Sequence, residues 1–308
     1  MRPSRSLTLL LVTSAVALAG CGDGSTGAAD SRALRVVATT PVVADFVRTV
    51  GADRVAVTQV LKPGVDPHDY EPSPADLQAI ADADVVVENG VGLEAWLADT
   101  VAAAGFSGPV VDSSEDVTLR PGEEDGGEDP HVWHDPRNAT LMVRTIADAL
   151  AAADPSGAGT YERNAADYTA KLAALDKATA AKIASVPAAQ RKLVTNHDAF
   201  GYYCARYGLT FVGAIIPSFD TSAELSGRQL SDLVTKIRAT GVKAVFSEAS
   251  LPPRTAETVA REAGVTVVGG EEALYADGLG PEGSPGGTYL RAEQHNTDTI
   301  VKALGGRV

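Results

Sequence analysis

Eight short apolar runs, each tied to a segment of helical periodicity, constrain this chain more than any other feature. They read LRVVATT, VAVTQVL, DVVVENG, PVVDSS, KLVTNH, TFVGAII, AVFSEA and VTVVGG. Valine-rich runs of this length, with helices between them, predict parallel strands buried on both faces. A turn residue or a cap marks most of the intervening helices. Gly51 ends the helix PVVADFVRTVG, and Ser73 stands as N-cap before SPADLQAIADA, with Pro74 in its first turn. GLEAWLADTVAAAG reads as a third helix, and a fourth is expected over about 139–153. Residues 160–186 then read as one long helix in which Tyr161, Ala165, Tyr168, Leu172, Leu175 and Thr179 recur at four- and three-residue steps. Some 27 residues at about 1.5 Å each would span about 40 Å, the height of a domain or two.

The fold class expected is therefore α/β, with two lobes. Each has a central, mostly parallel sheet flanked by helices, and one long helix joins them. The boundaries fall at 34–156 for the first lobe, 157–187 for the linking helix and 188–308 for the second lobe. Ligands of open parallel sheets sit beyond the carboxyl ends of the strands, so the cleft between the lobes is the expected site.

The first 33 residues stand apart from this pattern. Arg2 and Arg5 precede LTLLLVTSAVALAG, fourteen residues that are too few for a membrane span of about 20 and suit a signal-peptide core. LAGC, ending at Cys21, resembles a bacterial lipobox, in which the cysteine becomes the acylated first mature residue. An ordinary secretory signal with a chance cysteine is the alternative. Residues 1–20 are read as a lipoprotein signal peptide, and 21–33 as the lipidated cysteine with a flexible tether. The protein is expected to be exported, and to be either lipid-anchored to the outer face of the cytoplasmic membrane or periplasmic. The other cysteine, Cys204, lies at helical spacing in AFGYYCARYGL and reads as core. A net charge of −14 argues against nucleic acid as a partner and suits either a cation ligand or plain solubility.

Only five histidines occur, and four of them fall at the predicted carboxyl ends of strands. His68 lies in the loop after VAVTQVL, and His197 ends KLVTNH. His131 and His134 lie between the fourth strand and the next helix, and Asp277 follows VTVVGG after a short loop. His295 sits inside the last helix. Three segments from both lobes thus each bring histidine to one cleft, and a fourth brings a carboxylate. That is a metal-ligand constellation, although any one of these histidines alone would pass as a surface residue. Pro67 and Pro130 stiffen the backbone just before His68 and His131. Asp66, Asp69, Asp135 and Asp198 flank these histidines and are candidates to orient imidazole N–H groups. The run EEDGGED, 123–129, holds five carboxylates in seven residues and reads as a solvated loop or a weak metal collector.

The segments LKPGVDPHDYEPSPADL, DPHVWHDPRNA, TNHDAFGYYCARYGL, FSEASLPPRTAETVAREAGV and LYADGLGPEGSPGGTYLRAEQHNTDTIVKAL occur in this order. Together they resemble the solute-binding lipoproteins of zinc and manganese ABC transporters, over nearly all of the chain after the signal segment. The resemblance implies two α/β lobes joined by a rigid helix, with the metal between them and little domain closure. Carried over position by position, it implies the ligands His68, His131, His197 and Asp277. His134 then stands as a second group around the site, an alternate ligand or a surface residue. Glu248 stands as a supporting hydrogen-bond partner or, less directly, a ligand. Members that carry manganese typically have glutamate where this chain has His197, so the resemblance implies Zn2+, with Mn2+ the alternative. It also implies a membrane permease and a cytoplasmic ATPase as partners, and a monomer.

An enzyme is the competing class, since three histidines also hold catalytic zinc. Asp277 in the fourth position would leave no place for an activated water, and no HExxH, GxSxG or GxxxxGK[ST] motif occurs. A surface adhesin is a third reading, for which the residues supply no adhesive feature. Capture needs neutral imidazoles, so affinity is expected to fall below about pH 6.5.

Overall fold

The first four strands form one parallel sheet in the order β2-β1-β3-β4, with β1 at Leu34–Ala38, β2 at Val55–Gln59, β3 at Val85–Glu88 and β4 at Val110–Asp112. This computed structural model describes residues 32–122, 127–223 and 226–308. The signal segment, Cys21 and the first part of the acidic run lie outside them. Residues from Ala33 onward form one compact unit. In the second half, β5 (Lys192–His197) pairs in parallel with β6 (Thr210–Ile216), and β7 (Ala244–Phe246) pairs in parallel with β8 (Thr266–Val268). The two pairs lie side by side, β5 next to β7. All eight expected runs contain a strand, and most of those strands are shorter than the apolar run.

Helices α1 (Pro41–Gly51), α2 (Pro74–Ala81), α3 (Leu97–Ala104) and α4 (Pro136–Ala153) cover the first sheet. Their starts follow from the sequence. Thr40 and Ser73 cap α1 and α2, each before a proline in the first turn, and Ser73 and Asp76 form a reciprocal capping box. Helix α3 begins later than its apolar pattern predicts. Residues 90–92 turn through the left-handed region instead, with φ of 92° at Gly90, 55° at Val91 and 74° at Gly92. A Cβ at Gly90 would stand 2.0 Å from the Asp112 carboxylate, so the backbone requires glycine there. The buried Glu94 carboxylate ties the turn by accepting from Asn89 N at 2.8 Å and Gly90 N at 3.3 Å. Asn89 Nδ2 in turn donates to the carbonyl of Pro130 at 3.0 Å, which fixes the segment entering His131.

The linking helix α5 spans Ala158–Ala184, 27 residues. The stripe expected from the sequence is its buried face: Tyr161, Ala165, Tyr168, Leu172, Leu175 and Thr179, continued by Ile183. Its first half packs on α1 and α4. Its second half packs on α6 (Gly201–Tyr207) and on the last helix of the chain. Helices α7 (Gly227–Thr240), α8 (Arg254–Ala263) and α9 (Tyr289–Ala303) complete the second half. The largest core cluster joins first-sheet residues such as Phe46 and Val87 to Tyr202, Leu279 and Tyr289 from the second half, so the wall of the cleft is packed across the lobes. Cys204 is buried in the second core, where burial pushes its thiol up to about 12, as the core reading expects.

Candidate metal centre

Asp129, Pro130 and His131 enter the cleft beyond β4 as a tight turn. Asp129 is fully buried, and its Oδ1 accepts from His131 N at 3.0 Å and lies 2.9 Å from His131 Nδ1. Its Oδ2 accepts from Arg120 Nη1 at 2.9 Å. An ionised carboxylate only accepts, so Nδ1 carries a hydrogen and Nε2 faces the cleft, where it is a lone pair once that nitrogen loses its proton. Tyr202 on α6 closes this corner by donating its hydroxyl to the Asp129 carbonyl at 3.2 Å and accepting from Arg120 N at 3.0 Å.

His197 is the last residue of β5 and is held in the same way. Glu248, just past β7, accepts from His197 N at 3.0 Å and lies 2.6 Å from His197 Nδ1. Glu248 N donates to Asn196 Oδ1 at 3.1 Å, so adjacent strand ends brace each other. Asp277 follows a loop anchored one residue earlier, where the Ala276 carbonyl accepts from Trp133 Nε1 at 3.2 Å and from His134 Nε2 at 3.0 Å. His68 differs from the other two histidines. Its backbone N donates to Asp66 Oδ1 at 3.0 Å, and its ring makes no hydrogen bond among the described residues.

The structure brings His68, His131, His197 and Asp277 together, each offering one atom within 4.8 Å of the others. The Nε2 atoms of His131 and His197 are 3.3 Å apart, and Asp277 Oδ1 lies 3.3 Å from the first and 3.1 Å from the second. The two imidazoles meet as a hydrogen bond, whereas the contacts to Asp277 are short without that alignment, so both Asp277 oxygens, like His68 Nε2, are buried with no aligned hydrogen-bond partner. Three imidazoles and a carboxylate converge on one buried point, an arrangement complementary to positive charge.

The electrostatics of the metal-free cluster agree. Burial lowers His68 to about 4 against the pull of Asp277, so its ring is neutral and its lone pair free at neutral pH. Burial also opposes charge on His131, but Asp129 and Asp277 outweigh it and raise this imidazole to about 9. His197 is raised for the same reason by Asp277 and Glu248. Burial disfavours the Asp277 carboxylate, yet His197 and His131 hold its pKa well below the ordinary value. Without metal, protons supply the positive charge the site requires.

His134 is not part of the cluster, and the surface reading of it is corrected. It is fully buried, stacks on Phe200 at 4.4 Å between ring centroids, and sets Nδ1 2.8 Å from Glu293 Oε1. Both ring nitrogens are engaged, which leaves no lone pair for a metal. The Trp133–His134 turn and Glu293 instead hold the chain leading to Asp277. Glu248 acts through His197. None of Asp66, Asp69, Asp135 and Asp198 meets an imidazole N–H: Asp66 holds the backbone of His68, Asp69 is exposed, and Asp135 caps α4. Asp198, raised to about 6 by burial, has a buried Oδ1 without a partner. The carboxylate that does orient His131 is Asp129, the last of the acidic run and no part of a solvated loop. Its signal was present in the sequence, because Asp-Pro-His occurs at both 66–68 and 129–131.

Two α/β lobes, a long linking helix and a buried three-imidazole, one-carboxylate cluster between them define a metal-binding solute-binding protein. The chain belongs to the family of the zinc-uptake complex component A (ZnuA, periplasmic), which matches residues 36–303. Members of this family are non-enzymatic substrate-binding components of ABC transporters, acting outside the cytoplasmic membrane. The manganese ABC transporter substrate-binding lipoprotein PsaA of Streptococcus anginosus is 33% identical over 305 residues, 96% of this chain and 97% of that protein. The iron ABC transporter substrate-binding lipoprotein MtsA of Streptococcus pyogenes serotype M6 is 32% identical over 313 residues, 99% of each. The structure of the periplasmic zinc-binding protein TroA from Treponema pallidum superposes with a TM-score of 0.82 at 30% identity, covering 90% of this chain and 100% of that one. Among the described residues, no helix is long and apolar enough to cross a membrane.

Proposed function

We propose that this protein captures one Zn2+ through His68, His131, His197 and Asp277 and delivers it to a membrane permease driven by a cytoplasmic ATPase. The observation that carries this reading is the convergence of buried lone pairs, with His68 Nε2 and both Asp277 oxygens lacking any donor. Zinc bonds of about 2.0 Å to nitrogen and oxygen in a tetrahedron put neighbouring ligand atoms about 3.3 Å apart. The 3.1 to 3.3 Å spacings among His131, His197 and Asp277 match that edge. Imidazole at three positions suits zinc better than manganese, which favours oxygen.

In this reading the lobes 34–156 and 188–308 flank the cleft, the helix 157–187 fixes their spacing, and Cys21 carries the lipid anchor. Mn2+ is the second reading, favoured by the relatives named for manganese at about one-third identity. Chelator competition with Zn2+ and Mn2+ on wild type, His131→Ala and His134→Ala tests both. The reading expects Zn2+ to bind more tightly, and His131→Ala alone to collapse binding. Greater damage from His134→Ala would redraw the ligand set, and tighter Mn2+ binding would reverse the choice of metal.

A further inference from the structure

The loop 217–223, between β6 and α7, crosses from the second half of the chain to the first-lobe side of the metal cluster. It is fastened to its own lobe where the Ser218 carbonyl accepts from Asp198 N at 3.2 Å, next to His197. Internal bonds shape it, Asp220 N to Ser218 Oγ at 3.1 Å and Ser222 N to Asp220 Oδ1 at 2.8 Å. It reaches the first lobe at two places. The Thr221 hydroxyl donates to Asp66 Oδ2 at 2.6 Å, and the other oxygen of that carboxylate holds His68 N. Phe219 lies 6.1 Å from the His131 ring between centroids and packs against Gly122, where a Cβ would come within 2.5 Å of its ring.

His68 is the cluster member that depends on such a contact. His131 and His197 each have a carboxylate on the ring nitrogen facing away from the cluster, whereas His68 has none on its ring and is held through the backbone, by Asp66 at its N–H and by Trp96 at the preceding carbonyl. His68 is also the only member of the four that is not fully buried. Accepting the ligand set proposed above, we propose that Thr221 and Phe219 make the loop 217–223 a strap across the cleft, Thr221 being a positioning residue that holds His68 on the metal through Asp66. The strap sets how long the metal stays. A charge-assisted O–H to carboxylate bond is among the stronger neutral-to-ion contacts, and its loss removes the cross-cleft tie on Asp66, leaving the turn carrying His68 held only from its own lobe, where Trp96 Nε1 donates to the Pro67 carbonyl at 3.3 Å.

The test is the rate of Zn2+ release from the loaded full chain into excess EDTA, with the association rate measured in parallel. Thr221→Val keeps the side-chain volume and removes the donor; release should quicken about tenfold with association within about twofold of wild type. Thr221→Ser restores the hydroxyl and should return release to the wild-type rate. Phe219→Ala should quicken release roughly threefold. Release from Thr221→Val at the wild-type rate, or from Thr221→Ser as fast as from Thr221→Val, would overturn the strap. His131→Ala separates the two claims. If it fails to hold Zn2+ while Thr221→Val changes nothing, the strap alone is wrong. If it binds like wild type, the ligand set falls and the strap falls with it.

Discussion

The tripeptide Asp-Pro-His occurs twice in the first lobe, at 66–68 and 129–131, and both copies deliver an imidazole to the same cluster by different means. The local structure is shared: in each, the aspartate accepts from the histidine backbone N at 3.0 Å, two residues on. The remainder is set by tertiary context. Asp129 is buried beneath Arg120 and Tyr202, and its carboxylate also reaches the His131 ring. Asp66 sits nearer the surface and spends its second oxygen on Thr221 from across the cleft. One motif fixes its imidazole from within, and the other has a contact between the lobes. A cluster built this way has a braced wall of His131, His197 and Asp277, and one less constrained imidazole in His68.

The comparison breaks most completely at the imidazoles themselves. Structural zinc is worth about 10–16 kcal/mol over four ligands, so His131→Ala should cost roughly a hundredfold to a thousandfold in affinity by chelator competition. At the next level, Asp129→Asn should weaken binding about 10- to 100-fold, the usual effect of removing an orienting carboxylate. Asp66→Asn should cost less at equilibrium and act mainly on release. Equal losses in the two variants would erase the distinction between the motifs.

Protons sharpen the comparison further. With His131 raised to about 9 and His68 lowered to about 4, zinc binding at pH 7 should release protons from the buried wall and none from His68. Calorimetry in two buffers of different ionisation enthalpy reads this directly. Affinity should therefore fall progressively as pH drops from about 9, a window higher than the 6.5 of an ordinary imidazole. The metal-free fold has the opposite dependence. The contribution of protonated His131 is fully present below about pH 6.5 and is lost as pH rises through about 9. Thermal melts of metal-free protein across that range should show the loss, and His131→Ala should flatten it. The smallest effect on metal is expected at His134, which touches the Asp277 loop and no ligand atom. His134→Gln should destabilise the fold by about 1–3 kcal/mol, leaving Glu293 unpaired, and change zinc affinity less than Asp129→Asn does.

Most of the architecture was legible because it rests on periodicity: eight parallel strands, the capped starts of α1 and α2, and the α5 stripe from Tyr161 to Thr179, although the edge strands β2, β4 and β8 are only half-buried or exposed where burial on both faces was expected. The convergence of His68, His131, His197 and Asp277 was legible because parallel topology puts strand ends on one edge. What escaped depends on burial and distant partners. Asp129 reads as one more acid in a charged loop, and what encloses it is Arg120 together with Tyr202, the latter 73 residues along the chain. The Glu293 partner of His134 lies 159 residues away, with no local pattern linking them. The late start of α3 reflects a left-handed turn at residues 90–92 that apolar spacing does not encode.

The most direct test of the central claim is anomalous diffraction at the zinc edge from crystals of the zinc-loaded protein. The account predicts one strong peak between the lobes, about 2.0–2.2 Å from three imidazole Nε2 atoms, those of His68, His131 and His197, and from an oxygen of Asp277. A peak bound by His134, or held only by the carboxylates of the acidic run, would contradict it.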